Sequence, residues 1–369
     1  VSDSQRLIVT IPGGRYDVLL GRELLDGLGV EVRKRSRAVR CALVTDDVVE
    51  RLLAARVESS LRSSGFEPVT FQVPHGETSK SWEQAGRLLE AFSEAGLGRD
   101  CLVVALGGGV VGDLAGFVAA TYLRGVAVVQ VPTTLLAQVD SAIGGKTGVD
   151  LPRGKNLAGV FWQPMLVLAD VACLDTLPEL EWRSGLAEIA KASVLAGEGA
   201  FAGLERDAGA LKRRGLGVVF PAVLMAAGLK CHVVSGDLRE TAERESLNYG
   251  HTLAHALERE LGYGKVSHGA AVADGIRFAA RLAVSLGMAS EEWASRQERL
   301  LDALGLTRIE AACDPRALLA AMRSDKKARA GRLRFVISTS PGAWKIDPVD
   351  EETLARELAL WCETRGDAR

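Results

Sequence analysis

Of the five histidines in this 369-residue chain, three lie between positions 251 and 268. His251 and His255 stand four apart in a stretch of helical periodicity, which puts both rings on one helix face, as pairs of metal ligands often are. His268 opens a further helix at Ser267-His268-Gly269. A catalytic zinc site needs three protein ligands, imidazole or carboxylate, and one open position. The remaining ligand is either His255 or Glu188, a carboxylate that interrupts the small and apolar run Gly185-Leu186-Ala187-Glu188-Ile189-Ala190. On such a face a carboxylate costs several kcal/mol unless charged partners or a metal satisfy it. Histidines satisfied within a core are the plainer alternative.

A second chemistry follows from Leu102-Val103-Val104-Ala105-Leu106, which ends in Gly107-Gly108-Gly109-Val110-Val111-Gly112-Asp113 and continues as the small-residue stretch Leu114 to Ala120. That is the order strand, tight turn, helix, and the first backbone N–H groups of such a helix favour a pyrophosphate. Gly107, Gly109 and Gly112 satisfy the dinucleotide pattern G-x-G-x-x-G, yet Pro132 stands near where a ribose-binding acid is expected. Asp46, at the end of the apolar run Ala42-Leu43-Val44-Thr45, is a candidate for that role and equally for a helix N-cap.

Arg124, Asp140, Lys146, Lys155 and Asn156 lie among glycines around the next strand, Val126 to Val131, which ends at Pro132-Thr133-Thr134. Such residues are poor core material and good anion-site material. Lys230, Arg244, Asn248, Lys326 and Lys327 add donors that could meet a phosphate, although Ser324 to Arg329 reads equally as a solvated turn. For Glu77 and Lys80, at the start of another helix, capping or surface pairing is the simpler role.

Strands and helices alternate as far as Pro178, which indicates an α/β domain with a largely parallel sheet. From Leu180 onward helical periodicity dominates, apart from one late apolar run, Leu333 to Ser338. Two domains are expected, 1–180 and 181–369, since a single core rarely grows past about 250–300 residues. With 45 basic against 47 acidic side chains, no global pull toward nucleic acid or an anionic membrane exists. The six cysteines are scattered without metal spacing and read as reduced thiols. The opening residues have no apolar signal-like run, and no 18-residue uncharged apolar run occurs, so a cytoplasmic protein is expected.

As a set, Gly-Gly-Gly-x-x-Gly-Asp-x-Ala-Gly, Pro-Thr-Thr-Leu-Leu-Ala-Gln-x-Asp, Gly-Gly-Lys-Thr and Asn-x-Gly-His-Thr, in this order, resemble the 3-dehydroquinate synthases, sugar phosphate cyclases of the shikimate pathway. The resemblance runs from about Thr45 to Ile346 and implies an N-terminal Rossmann-like NAD-binding domain and an α-helical metal-binding domain. It implies Glu188, His251 and His268 as ligands of zinc, with cobalt an alternative, and moves His255 to a substrate or phosphate contact. For NAD it implies Asp46, Glu77, Lys80, Gly108, Gly109, Val110, Asp113, Thr133, Thr134, Lys146, Lys155 and the turn Cys173, Leu174, Asp175 and Thr176. For substrate and catalysis it implies Asp140, Lys146, Asn156, Lys191, Lys230, Arg244, Asn248, His255 and one or both of Lys326 and Lys327. Arg124 would reach across the interface of a homodimer.

The implied reaction converts 3-deoxy-D-arabino-heptulosonate 7-phosphate to 3-dehydroquinate and inorganic phosphate through transient oxidation, elimination, reduction and an intramolecular aldol. Ala254 stands where the family usually has glycine, and Glu240-Thr241-Ala242-Glu243 lacks the usual Gly-Leu before Arg244. The rival readings are a related cyclase of secondary metabolism, a metal-dependent polyol dehydrogenase that would accumulate NADH, and an inactive nucleotide-binding module.

Overall fold

The computed structural model describes residues 4–262, 265–325 and 333–366. The chain divides into two compact units, one of residues 1–178 and 230–239, the other of residues 179–229 and 240–369.

The first unit is built on nine strands: β1 (Gln5–Ile11), β2 (Gly14–Gly21), β3 (Arg40–Asp46), β4 (Glu67–Val73), β5 (Leu102–Gly107), β6 (Ala127–Pro132), β7 (Lys146–Leu151), β8 (Gly154–Phe161) and β9 (Leu166–Asp170). Seven of them form one sheet in the order β1-β2-β9-β6-β5-β3-β4. Only the β1–β2 hairpin is antiparallel. Helices α1 (Leu28–Arg33), α2 (Asp47–Val49), α3 (Ala55–Ser63), α4 (Trp82–Glu94) and α5 (Gly109–Thr121) complete the frame.

Parallel strands buried on both faces read as continuous apolar runs, and here alternate residues enter two separate cores. Val44, Val103, Ala105 and Val128 pack with α4 and α5, while Leu43, Val104, Leu106 and Val129 pack with α1 and α3. The chain passes from β3 outward to β4 and then returns to β5 on the other side of β3. That reversal is a topological switch point, where ligands bind beyond the carboxyl ends of the strands. Asp46 closes β3 and Gly107 closes β5, so both flank it.

The second unit contains α6 (Glu179–Ala196), α7 (Glu198–Lys212), most of α8 (Leu216–Gly236), α9 (His251–Leu261), α10 (His268–Ser285), α11 (Glu291–Ala303), α12 (Pro315–Asp325) and α13 (Glu351–Gly366). The late apolar run is β10 (Leu333–Ser340), paired antiparallel with β11 (Ala343–Val349). The division between units runs through α8, with Lys230 to Gly236 counted in the first. By length and composition α8 could cross a membrane, and 44% of its apolar window is buried. It is interrupted by Lys230, which pairs with Asp140.

Candidate functional site

In the helical unit, one ligand atom each from Glu188, His251 and His268 lies within 4.8 Å of the other two. Both imidazole Nε2 atoms stand 3.5 Å from Glu188 Oε1. His255 is outside this group, its ring stacked edge-on to His251 at 5.5 Å.

Close helix crossings bring the three together. A Cβ on Gly269, next to His268, would lie 2.2 Å from Ser184 Cα, one turn before Glu188 on α6. Gly275 of α10 meets the carbonyl of Gly250, where a Cβ would come within 1.9 Å. Gly250 is itself left-handed, at φ +80°, and starts α9 one residue before His251. Glycine at these crossings lets the backbones approach as no larger residue could.

Glu188 is 2% exposed and ion-paired with Lys191, one turn along α6, which is 4% exposed. Burial works against charge on both histidines. It leaves His251 well below the ordinary imidazole range, with Lys191 adding to the effect and Glu188 opposing it. At His268 the carboxylates of Glu188 and Glu258 outweigh burial and push the pKa up to about 10. His251 Nδ1 is 3.1 Å from the Tyr249 carbonyl, which leaves Nε2 toward Glu188. A carboxylate and two imidazoles converging, with Glu188 and His251 buried and His268 partly exposed, form a donor set that fits zinc or cobalt.

Arg244 is buried at 1% exposure and Asn248 donates to Glu240 Oε1 at 2.5 Å. Glu240 has a left-handed backbone, φ +59°, and belongs with this group although its sequence context gave no signal for it. Lys326 and Lys327 lie outside the described residues.

In the α/β unit, the turn Gly107-Gly108-Gly109 begins α5 with its first N–H groups facing the switch point. A Cβ on Gly108 would lie 2.9 Å from Thr134 Cγ2, and one on Gly112 would lie 2.8 Å from Gln130 Oε1 on β6. The third glycine of the fingerprint thus permits close helix–strand packing. Thr45 Oγ1, Thr133 Oγ1 and Ser141 Oγ are buried with no hydrogen-bond partner in the protein. Unsatisfied hydroxyls around a glycine turn, two at strand ends and that of Ser141 on the helical segment Ala137–Ser141, suit a polar ligand such as a dinucleotide. Thr45 and Ser141 escaped the sequence reading because neither belongs to a recognisable motif.

Lys80 is not the surface residue that its place before a helix suggested. It is 6% exposed, and its Nζ donates to Asp113 Oδ2 and Asn156 Oδ1, each at 2.5 Å. Burial alone would lower its pKa, but the Asp113 carboxylate outweighs this and holds the ammonium charged. Glu77 instead pairs with Lys155 at 3.4 Å. Asp46 accepts from the N–H groups of Val48 and Val49 through Oδ1, so of its two candidate roles the N-cap is present. The turn Cys173 to Thr176 belongs to a short 3-10 helix, Val171–Thr176, with Asp175 paired to Arg22 at 2.5 Å.

Asp140 and Lys230 form an ion pair, with side chains 25% and 10% exposed. Lys146 lies on β7, and Lys155 and Asn156 on β8, which together make an antiparallel hairpin. Arg124 is exposed and left-handed, φ +69°, next to Leu123 at φ +50°. Consecutive left-handed non-glycine residues store strain, held here by Tyr122, whose hydroxyl donates to the Leu97 carbonyl, and by Trp162, packed against Gly125.

Residues 70–184 match the family model described as 3-dehydroquinate synthase N-terminal, and residues 185–328 match 3-dehydroquinate synthase C-terminal. The chain is 44% identical over 336 residues to the 3-dehydroquinate synthase of Pelobacter propionicus, covering 91% of this chain and 94% of that one. Among solved structures, a 2-deoxy-scyllo-inosose synthase complexed with carbaglucose-6-phosphate, NAD+ and Co2+ superposes with a TM-score of 0.88 at 23% identity, over 96% of this chain and 99% of the other. The 2-epi-5-epi-valiolone synthase of Streptomyces hygroscopicus, with NAD+ and Zn2+ bound, gives 0.86 at 25% identity over 96% and 97%. The chain belongs to the 3-dehydroquinate synthase family of lyases.

Proposed function

We propose that this chain converts 3-deoxy-D-arabino-heptulosonate 7-phosphate to 3-dehydroquinate and phosphate, with Glu188, His251 and His268 holding zinc or cobalt and the strand ends around Gly108 holding NAD. The observation that carries the reading is the convergence of one carboxylate and two imidazoles within 4.8 Å in a chain of this family. When bound, the cation would polarise the substrate hydroxyl and the dinucleotide would take up and return a hydride.

The chain's own residues do the rest. Gly108, Gly109, Val110, Thr133 and Thr134 would seat the pyrophosphate at the start of α5, with Asp46, Glu77, Lys155 and the Cys173–Thr176 turn around the remainder of the dinucleotide. Lys80, locked between Asp113 and Asn156, would hold the wall of that region in place, its charge balanced by Asp113. Lys146, Lys230, Arg244 and His255 supply donors for the phosphate and carboxylate of the substrate, with Asp140 and Asn248 for its hydroxyls. Lys191 holds Glu188 in place and would add a further donor beside a bound cation.

Identity of 44% to a dehydroquinate synthase, against 25% to the valiolone synthase, favours the primary-metabolic substrate over that of a secondary-metabolite cyclase. A homodimer is part of the same reading. It is supported by the apolar exposure of β8 at Leu157, Val160 and Phe161, and by the exposed Arg124.

Removal of the metal by a chelator, verified by elemental analysis, should abolish phosphate release, and Zn2+ or Co2+ should restore it. Undiminished release from verified metal-free protein would take the cation out of the reaction.

A further inference from the structure

A second buried carboxylate lies behind the metal ligands. Glu258 is 5% exposed and sits two turns beyond His251 on the same face of α9. Its Oε2 is 3.6 Å from His268 Nδ1, within ion-pairing range, while His268 Nε2 faces Glu188 Oε1 at 3.5 Å. The imidazole therefore bridges two carboxylates, one on each nitrogen. His251 has only a neutral acceptor on its Nδ1, the carbonyl of Tyr249, whose hydroxyl is fixed by Gln297 at 2.7 Å.

Charge gives Glu258 a second consequence. A divalent cation at Glu188 would share its pocket with the buried ammonium of Lys191, leaving one carboxylate against two centres of positive charge. Glu258 brings the compensating negative charge without occupying a ligand position. A carboxylate on the far nitrogen of a ligating histidine also fixes the tautomer and raises the basicity of the ligating nitrogen.

Resting on the metal site proposed above, we infer that Glu258 is its positioning residue: it orients His268 and sets how tightly the divalent cation is held. Glu258→Gln keeps the shape and removes the charge, so zinc affinity measured by chelator competition should fall by about 10–100-fold. The absorption spectrum of the bound Co2+ should change as well. Glu258→Asp, which keeps the charge at shorter reach, should fall between the two. The thermal midpoint of the metal-free protein should fall in Glu258→Gln, where the buried pair with His268 is lost, and less in Glu258→Asp, while the rise on adding zinc shrinks in both.

Wild-type zinc affinity and cobalt spectrum in both variants, with His251→Ala abolishing tight binding, would overturn the role of Glu258 and leave the metal site standing. No tight binding by the wild-type chain would overturn the metal site itself. A lowered metal-free midpoint with unaltered zinc affinity would make Glu258 a packing residue only.

Discussion

Replacing His251 with alanine should leave a folded chain that neither binds zinc tightly nor releases phosphate above background. His251 is a first-turn residue of α9, aimed at Glu188 by its contact with the Tyr249 carbonyl and by the close crossing of Gly250 and Gly275. Burial keeps its ring neutral, so truncation leaves a small gap rather than an unpaired charge. The metal-free protein should lose no more than about 2 kcal/mol, the lower end of the cost of large-to-small core substitutions. Zinc affinity, by contrast, should drop by more than the roughly 100-fold associated with outer-shell partners, since a direct ligand is gone. Chelator competition and a phosphate assay check both. Tight zinc binding with near wild-type turnover would remove His251 from the site.

The second large effect is expected at Lys80. Lys80→Met leaves the Asp113 carboxylate, 19% exposed, and the Asn156 carbonyl without their shared donor. Removing one member of a buried ion pair costs about 3–5 kcal/mol, and the lower figure applies here because Asp113 keeps some contact with water. Adding Asp113→Leu should recover most of that loss, because a buried pair replaced by apolar groups is often neutral. On the proposed assignment NAD binding should remain weak in both variants. Denaturant unfolding and NAD titration separate the two readouts. Full NAD affinity in the double variant would confine Lys80 to a structural role.

Parts of this architecture were legible because they depend on local order. The Gly107 to Asp113 turn follows a strand and opens a helix in the sequence itself, and the alternating pattern up to Pro178 fixes a parallel sheet. The missing ribose acid has a topological cause. Beyond β5 the chain moves to β6, away from the switch point, so the acidic residue across from the glycine turn is Asp46 on the earlier strand β3.

What escaped the sequence depended on distant contacts. Lys80 reads as a solvated helix start until Asp113, on another helix, is placed against it. The β7–β8 hairpin was hidden by glycines that its close pairing demands: a Cβ on Gly159 would lie 2.5 Å from the Thr147 carbonyl. Glu258 has no signal of its own in the sequence, because nothing in its own helix shows that His268 packs on it. The choice between His255 and Glu188 as third ligand is decided by helix crossing rather than by spacing, and the geometry groups Glu188 with His251 and His268.

In the proposed reaction, oxidation of the substrate is temporary and phosphate leaves while the reduced cofactor stays bound. This is tested most directly by following absorbance at the NADH wavelength and phosphate release in one reaction, with purified protein, NAD, zinc and the heptulosonate phosphate. One phosphate and one 3-dehydroquinate per substrate, with no steady rise of NADH, is the result expected. NADH accumulating in proportion to substrate consumed, with the phosphate retained on the product, would contradict it and make the chain a dehydrogenase.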